Sequence, residues 1–210
     1  MGKEKVRNVI FDFGGVLFEI DYYAPVREFK KIGFENFEEI YSQASQSQLF
    51  DKAETGKISN EDFYKEIHSY CPNATRKEIV EAWNSILLHL MPEKVDVVTK
   101  TKEAGIRVFL LSNTNAMHVA EFERMIDETY GLSKFKSYFE KVYYSNEIGL
   151  KKPYPETFLE VCKWNDLNPS ETLFIDDSLQ HVEGAKKAGL QVAHLKSDYT
   201  LEQIFADFIL

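Results

Sequence analysis

Val9-Ile10-Phe11-Asp12-Phe13-Gly14-Gly15-Val16-Leu17 is an apolar run that ends on a carboxylate and is carried away by two glycines. Such a run reads as a buried strand with Asp12 at its C-terminal edge. The carboxyl ends of parallel strands are where open α/β sheets bind ligands. A carboxylate held there can attack phosphorus or carbon and form a covalent intermediate. The same residues also suit a plain structural turn, so the reading depends on what else the chain brings to that edge.

Working outward, four more short β-rich segments follow, at 107–111, 141–144, 172–175 and 191–195. Between them lie stretches of helical length and pattern at 92–104, 115–130, 154–163 and 182–188. Gly105, Gly131 and Gly189 follow three of these, where a left-handed helix end is expected; the third stretch has no such glycine. Strands alternating with helices predict an α/β fold with a doubly wound parallel sheet.

Residues 20–91 interrupt the alternation with no clear strand, and read as an inserted helical module. Thr75 with Glu78 forms a capping-box pattern, followed by Ile79, Trp83, Ile86, Leu87 and Leu90 on one helical face. Ser59 with Asp62 opens another helix, with Phe63, Ile67 and Tyr70 as its stripe, and Gly56 turns the chain between two helical halves. These stripes are most simply the module's own core.

The 210 residues, 44% of them hydrophobic, suffice for one good core and a small second one. A net charge of −9 without any run of lysines and arginines argues against nucleic-acid or anionic-membrane partners. Cys71 and Cys162 stand far apart outside any metal-binding spacing and read as core fillers. The start, Met1 to Arg7, is charged and runs straight into the first strand, and Val6 breaks the myristoylation pattern, so the expectation is a cytoplasmic protein. No apolar stretch approaches a membrane span.

Three strand ends besides that of Asp12 carry candidate chemistry. Leu110-Leu111-Ser112-Asn113-Thr114-Asn115 puts a hydroxyl and backbone amides at the start of a helix, a cradle for an anion or simply an N-cap. In Lys151-Lys152-Pro153 the proline holds Lys152 extended, which fixes where its stem points, whereas Lys151 reads as a solvated surface residue. Asp176-Asp177 places two carboxylates side by side, which costs energy unless a cation or a shifted pKa relieves it, and suits Mg²⁺.

Asp, Ser-Asn, Lys-Pro and Asp-Asp, in that order at successive strand ends, resemble the four motifs of the haloacid dehalogenase superfamily. The insertion resembles its C1 cap. The likeness covers nearly the whole chain and implies a Rossmann-like core of residues 1–19 and 92–210 with a helical cap domain at 20–91. It implies that Asp12 is the nucleophile, that Ser112 and the Asn113 amide bind the transferred group, and that Lys152 neutralises its charge. It also implies that Mg²⁺ is held by Asp12, the Gly14 carbonyl and Asp177 directly, and by Asp176 through water. The activity implied is a Mg²⁺-dependent phosphatase of a small phosphorylated metabolite, on the branch containing a bacterial sugar-1-phosphate phosphatase.

One departure stands out. Superfamily phosphatases usually carry a second Asp as general acid and base where this chain has Gly14, a group of a kind that supplies about 10²–10⁴ in rate. The haloacid dehalogenases proper also lack that Asp and work without metal, but they lack the adjacent pair found here as Asp176-Asp177. A metal-free dehalogenase and a binding protein on the same scaffold are therefore the alternatives. Glu19 or Asp21 could act as a surrogate acid, and Tyr22, Tyr23, Lys52, Glu54, Lys57 and His89 are unranked candidates for specificity. The oligomeric state cannot be read.

Overall fold

The computed structural model describes residues 4–41 and 48–209. Met1, Gly2 and Lys3 of the charged start, and residues 42–47 of the insertion, lie outside the described residues. The strands are β1 (Asn8–Phe11), β2 (Phe18–Ile20), β3 (Leu87–Leu90), β4 (Arg107–Ser112), β5 (Lys141–Tyr144), β6 (Thr172–Asp176) and β7 (Gln191–His194). Five of them form a parallel sheet in the order β5-β4-β1-β6-β7, as the alternating pattern predicts. Successive β1 side chains face opposite layers: Val9 and Phe11 join one core with Leu110 and Leu173, and Ile10 joins another with Phe109 and Phe174. Burial on both faces is what makes these strands read as unbroken apolar runs.

The crossover helices form where capping chemistry allows. Asn115 caps Ala116–Thr129, its side chain accepting from the backbone N–H groups of Met117 and His118. The helix Pro155–Trp164, the one without a glycine stop, is reversed by Asp166 at φ 54°, since Asp is among the few residues that tolerate the left-handed region. The helix after β6 starts at Leu179 rather than at 182, with Ser178 at its N-cap position. Cys71 and Cys162 are both buried and unpaired with each other. Among the described residues no helix is long and apolar enough to cross a membrane.

The insertion differs from its sequence reading in one respect. It is bounded by two strands: β2 and β3 pair antiparallel, with Phe18 opposite Leu90 and Ile20 opposite Leu87. The helix opened by the Thr75–Glu78 capping box ends at Asn84. Leu87 and Leu90 therefore belong to a strand, because a short apolar run such as 86–90 satisfies helical and strand periods alike. Ser59 caps Asn60–Tyr70, where Phe63 and Ile67 are buried while Tyr70 lies at the rim, stacked on Phe34 at 4.6 Å. Phe29, Phe37, Phe50, Phe63 and Trp83 form a third core, local to this module.

Candidate active site

Register places the first carboxylate. Phe11 lies level with Leu110 on one side and Ile175 on the other, so Asp12 leaves the sheet within a residue or two of the ends of both neighbours. Its backbone N–H donates to the Ile175 carbonyl at 2.9 Å, extending the ladder by one step. Gly15 then turns at φ 75°, and a Cβ there would lie 2.3 Å from Asp177 Oδ2. Only glycine both takes that backbone conformation and lets the Asp177 carboxylate approach the loop.

The other motifs converge on the same edge. Ser112, buried, is the last residue of β4. The Asn113 side chain closes on the backbone of Lys152, donating to its carbonyl and accepting from its N–H, both at 2.9 Å. That pair of bonds locks the lysine loop against the second motif. Lys152 Nζ then reaches Asp12 Oδ1 at 2.5 Å and Asp176 Oδ2 at 2.7 Å from a fully buried side chain. Asp176 also accepts from the Ser178 N–H at 2.7 Å and meets His181 Nδ1 at 3.0 Å. His181 escapes a sequence reading that starts its helix at 182; the signal was a histidine on the first turn after the paired carboxylates.

The charge balance of this cluster is unfavourable as it stands. Asp12, Asp176 and Asp177 each present an oxygen within 4.8 Å of the others. Burial and Asp176 push the Asp12 pKa up to about 6, which Lys152 and His181 only partly offset. Burial, Asp12 and Asp176 push Asp177 up to about 7. Asp176 escapes: burial is outweighed by Lys152 and His181, which hold it at about 2. Burial draws the Lys152 pKa down, but Asp12 and Asp176 together outweigh it and keep the ammonium charged. A buried carboxylate, Asp12, and a half-buried one, Asp177, left short of positive charge form a hard-oxygen donor set of the kind that takes a divalent cation.

Above the cluster opens a cavity of about 690 Å³, walled by both the sheet's C-terminal edge and the insertion. Tyr22, Tyr23 and Glu54 line it, whereas Lys52, Lys57 and His89 do not. Glu19 lies 3.1 Å from His89 Nε2 and Asp21 2.6 Å from Arg27, and neither lines the cavity. Lys151 is the clearest correction. Rather than solvated it is 7% exposed, with Nζ at 2.9 Å from Asp51 and 3.0 Å from Glu54 of the insertion helix Gln48–Glu54. The carboxylates that hold it come from about a hundred residues earlier, which local sequence cannot reveal.

A polar joint also ties the insertion to the sheet. Asn115 Oδ1 accepts from Trp83 Nε1 at 3.3 Å, and Asn115 Nδ2 donates to His118 Nδ1 at 2.9 Å. His118 Nε2 then carries the proton and donates to the Trp83 carbonyl at 3.1 Å, while the two rings stack at 4.6 Å. Burial lowers the His118 pKa to about 4, so the imidazole is neutral.

Residues 6–189 match the haloacid dehalogenase-like hydrolase family, and the chain belongs to it. Among its relatives, the D-ribitol-5-phosphate phosphatase of Bacteroides thetaiotaomicron is 30% identical over 187 residues, covering 89% of this chain and 90% of that protein. A sesquiterpene phosphatase of Aspergillus oryzae is 26% identical over 89% of this chain and 88% of its own length. A crystal structure of a family enzyme from B. thetaiotaomicron, in complex with magnesium and inorganic phosphate, is 33% identical with a TM-score of 0.82, over 95% of this chain and 99% of that one. A dehalogenase at 16% identity and TM-score 0.63 shares the fold.

Proposed function

We propose that this protein is a Mg²⁺-dependent phosphomonoesterase that hydrolyses a small sugar or sugar-alcohol phosphate through an aspartyl-phosphate at Asp12. The observation that carries the reading is the buried Lys152 bridging Asp12 and Asp176, with Asp177 completing a three-carboxylate cluster whose Asp12 lines the cavity. A relative named for a sugar-alcohol phosphate and a similar enzyme in complex with magnesium and phosphate support it.

Within this reading Asp12 Oδ attacks phosphorus and the P–O bond to the alcohol breaks; water then hydrolyses the acyl phosphate and restores the carboxylate. Ser112 and the backbone N–H of Asn113 orient the phosphoryl oxygens, and Lys152 compensates their charge while keeping Asp12 ionised. Asp12, the Gly14 carbonyl and Asp177 would hold Mg²⁺, with Asp176 acting through water, and the metal would supply charge neutralisation that lets a carboxylate approach a phosphate. Residues 1–19 and 92–210 form the core that carries these groups. Residues 20–91 serve as a cap that keeps bulk water from the intermediate.

Phosphate release from D-ribitol 5-phosphate and p-nitrophenyl phosphate, with Mg²⁺ and after EDTA, tests the reading. Release that depends on metal and disappears in Asp12→Asn, whose circular dichroism stays like wild type, is the expected result. Turnover that survives EDTA or the Asp12→Asn change would overturn it.

A further inference from the structure

We infer that the cavity selects phosphomonoesters whose organic part carries no second negative charge, so that the substrate is a neutral sugar, polyol or alcohol esterified once. The inference deepens the phosphatase reading and rests on it. Among the described residues lining the cavity, the lysines and arginines are Lys151 and Lys152 alone. Lys152 serves the phosphoryl end, between Asp12 and Asp176. Lys151 faces Asp51 and Glu54 at 2.9 and 3.0 Å, so two carboxylates answer its one charge. His118 is neutral in its bonds to Asn115 and Trp83, and His181 is bonded to Asp176.

The remaining charged residues of the wall are acidic. Glu38 and Glu54 line the cavity together with Tyr22 and Tyr41. The Tyr41 pKa is pushed up by burial and by the charge of Glu54, which places that hydroxyl within the carboxylate's field. A substrate hydroxyl can donate to these oxygens. A carboxylate or second phosphate would instead face like charge in a partly desolvated space where the nearby ammonium is already balanced, an arrangement that rejects by repulsion.

The test compares kcat/KM for D-ribitol 5-phosphate and glycerol phosphate with that for phosphoglycolate and a hexose bisphosphate, all at one Mg²⁺ concentration. Wild type should favour the neutral esters by about tenfold or more. The double variant Asp51→Asn with Glu54→Gln unbalances Lys151 and should narrow the gap, whereas Lys151→Met should widen it; p-nitrophenyl phosphate turnover reports whether each variant's site is intact. Acidic esters turned over within about threefold of neutral ones, or a ratio the double variant leaves unchanged, would overturn the inference. If no ester at all is hydrolysed, the phosphatase reading has failed on its own. The selectivity is then read from titration of the same esters into Mg²⁺-loaded protein, where equal affinities overturn it.

Discussion

Lys151 and Lys152 are adjacent in sequence, yet one faces a cation-hungry reaction centre and the other an interface, and single substitutions should separate them. Lys152→Ala removes the charge that balances Asp12 and should cost on the order of 10²–10³ in kcat for p-nitrophenyl phosphate. Lys151→Ala instead strands Asp51 and Glu54 and should act on thermal stability and substrate preference, with kcat for the same ester within about tenfold of wild type. Equal losses of kcat would refute the division. Gly14 leads to a second expectation. Glu19 and Asp21 are engaged elsewhere, and Tyr22, whose pKa burial and Asp177 push up still further, is a poor proton donor. The leaving oxygen therefore departs largely unprotonated. Across aryl and alkyl phosphates of similar size, kcat should fall steeply as leaving-group pKa rises; a flat dependence would reveal an acid, with His181 the first to substitute.

The joint between the helices Arg76–Asn84 and Ala116–Thr129 turns burial of one imidazole into a pH dependence. His118 in the folded chain sits at about 4 against the ordinary 6.5 of a free imidazole. The unfolded chain thus binds the extra proton first between those values. Its neutral form contributes in full above pH 6.5, and the contribution is lost as pH falls toward 4, by up to about 3 kcal/mol. Urea unfolding of wild type and His118→Gln at pH 7 and pH 4.5 checks this: the advantage of wild type should shrink at the lower pH, and a constant difference would count against a neutral buried His118. Nothing at this joint was legible in sequence, because Asn115 reads as an ordinary cap and its bonds to Trp83 cross 32 residues. By contrast Asp12, Ser112 and Asp176 could be placed, since each ends or directly follows a strand and the parallel sheet brings such ends together, and Lys152 because the proline after it fixes its stem. β2 and β3 were lost to the ambiguity of short apolar runs, and Lys151 was misread because burial depends on partners far along the chain.

Across the whole molecule, the cavity exists only while the insertion rests on the sheet's C-terminal edge, and one point of that rest is of high steric demand. Gly56, at φ 65° in the turn after Gln48–Glu54, passes so close to the short helix Ser145–Ile148 that a Cβ would lie 2.1 Å from the Asn146 carbonyl oxygen. The same short helix is tied from the other side by Ser145 Oγ, which accepts from the Thr114 N–H at 2.9 Å. The turn, the second motif and the lysine loop thus meet around one point, and Lys151 spans the gap to Asp51 and Glu54 beside it. Gly56→Ala adds a methyl where backbone blocks it and strains a left-handed residue by about 1–2 kcal/mol, so the turn must lift away from Asn146. Lifting moves Glu54 and its wall outward without touching Asp12, Lys152 or Asp177. KM for a sugar phosphate, large enough to reach the wall above the cluster, should then rise about tenfold or more while KM for small acyl phosphates changes little. Equal changes for both substrates would mean that the turn shapes the reaction centre itself rather than the cavity above it.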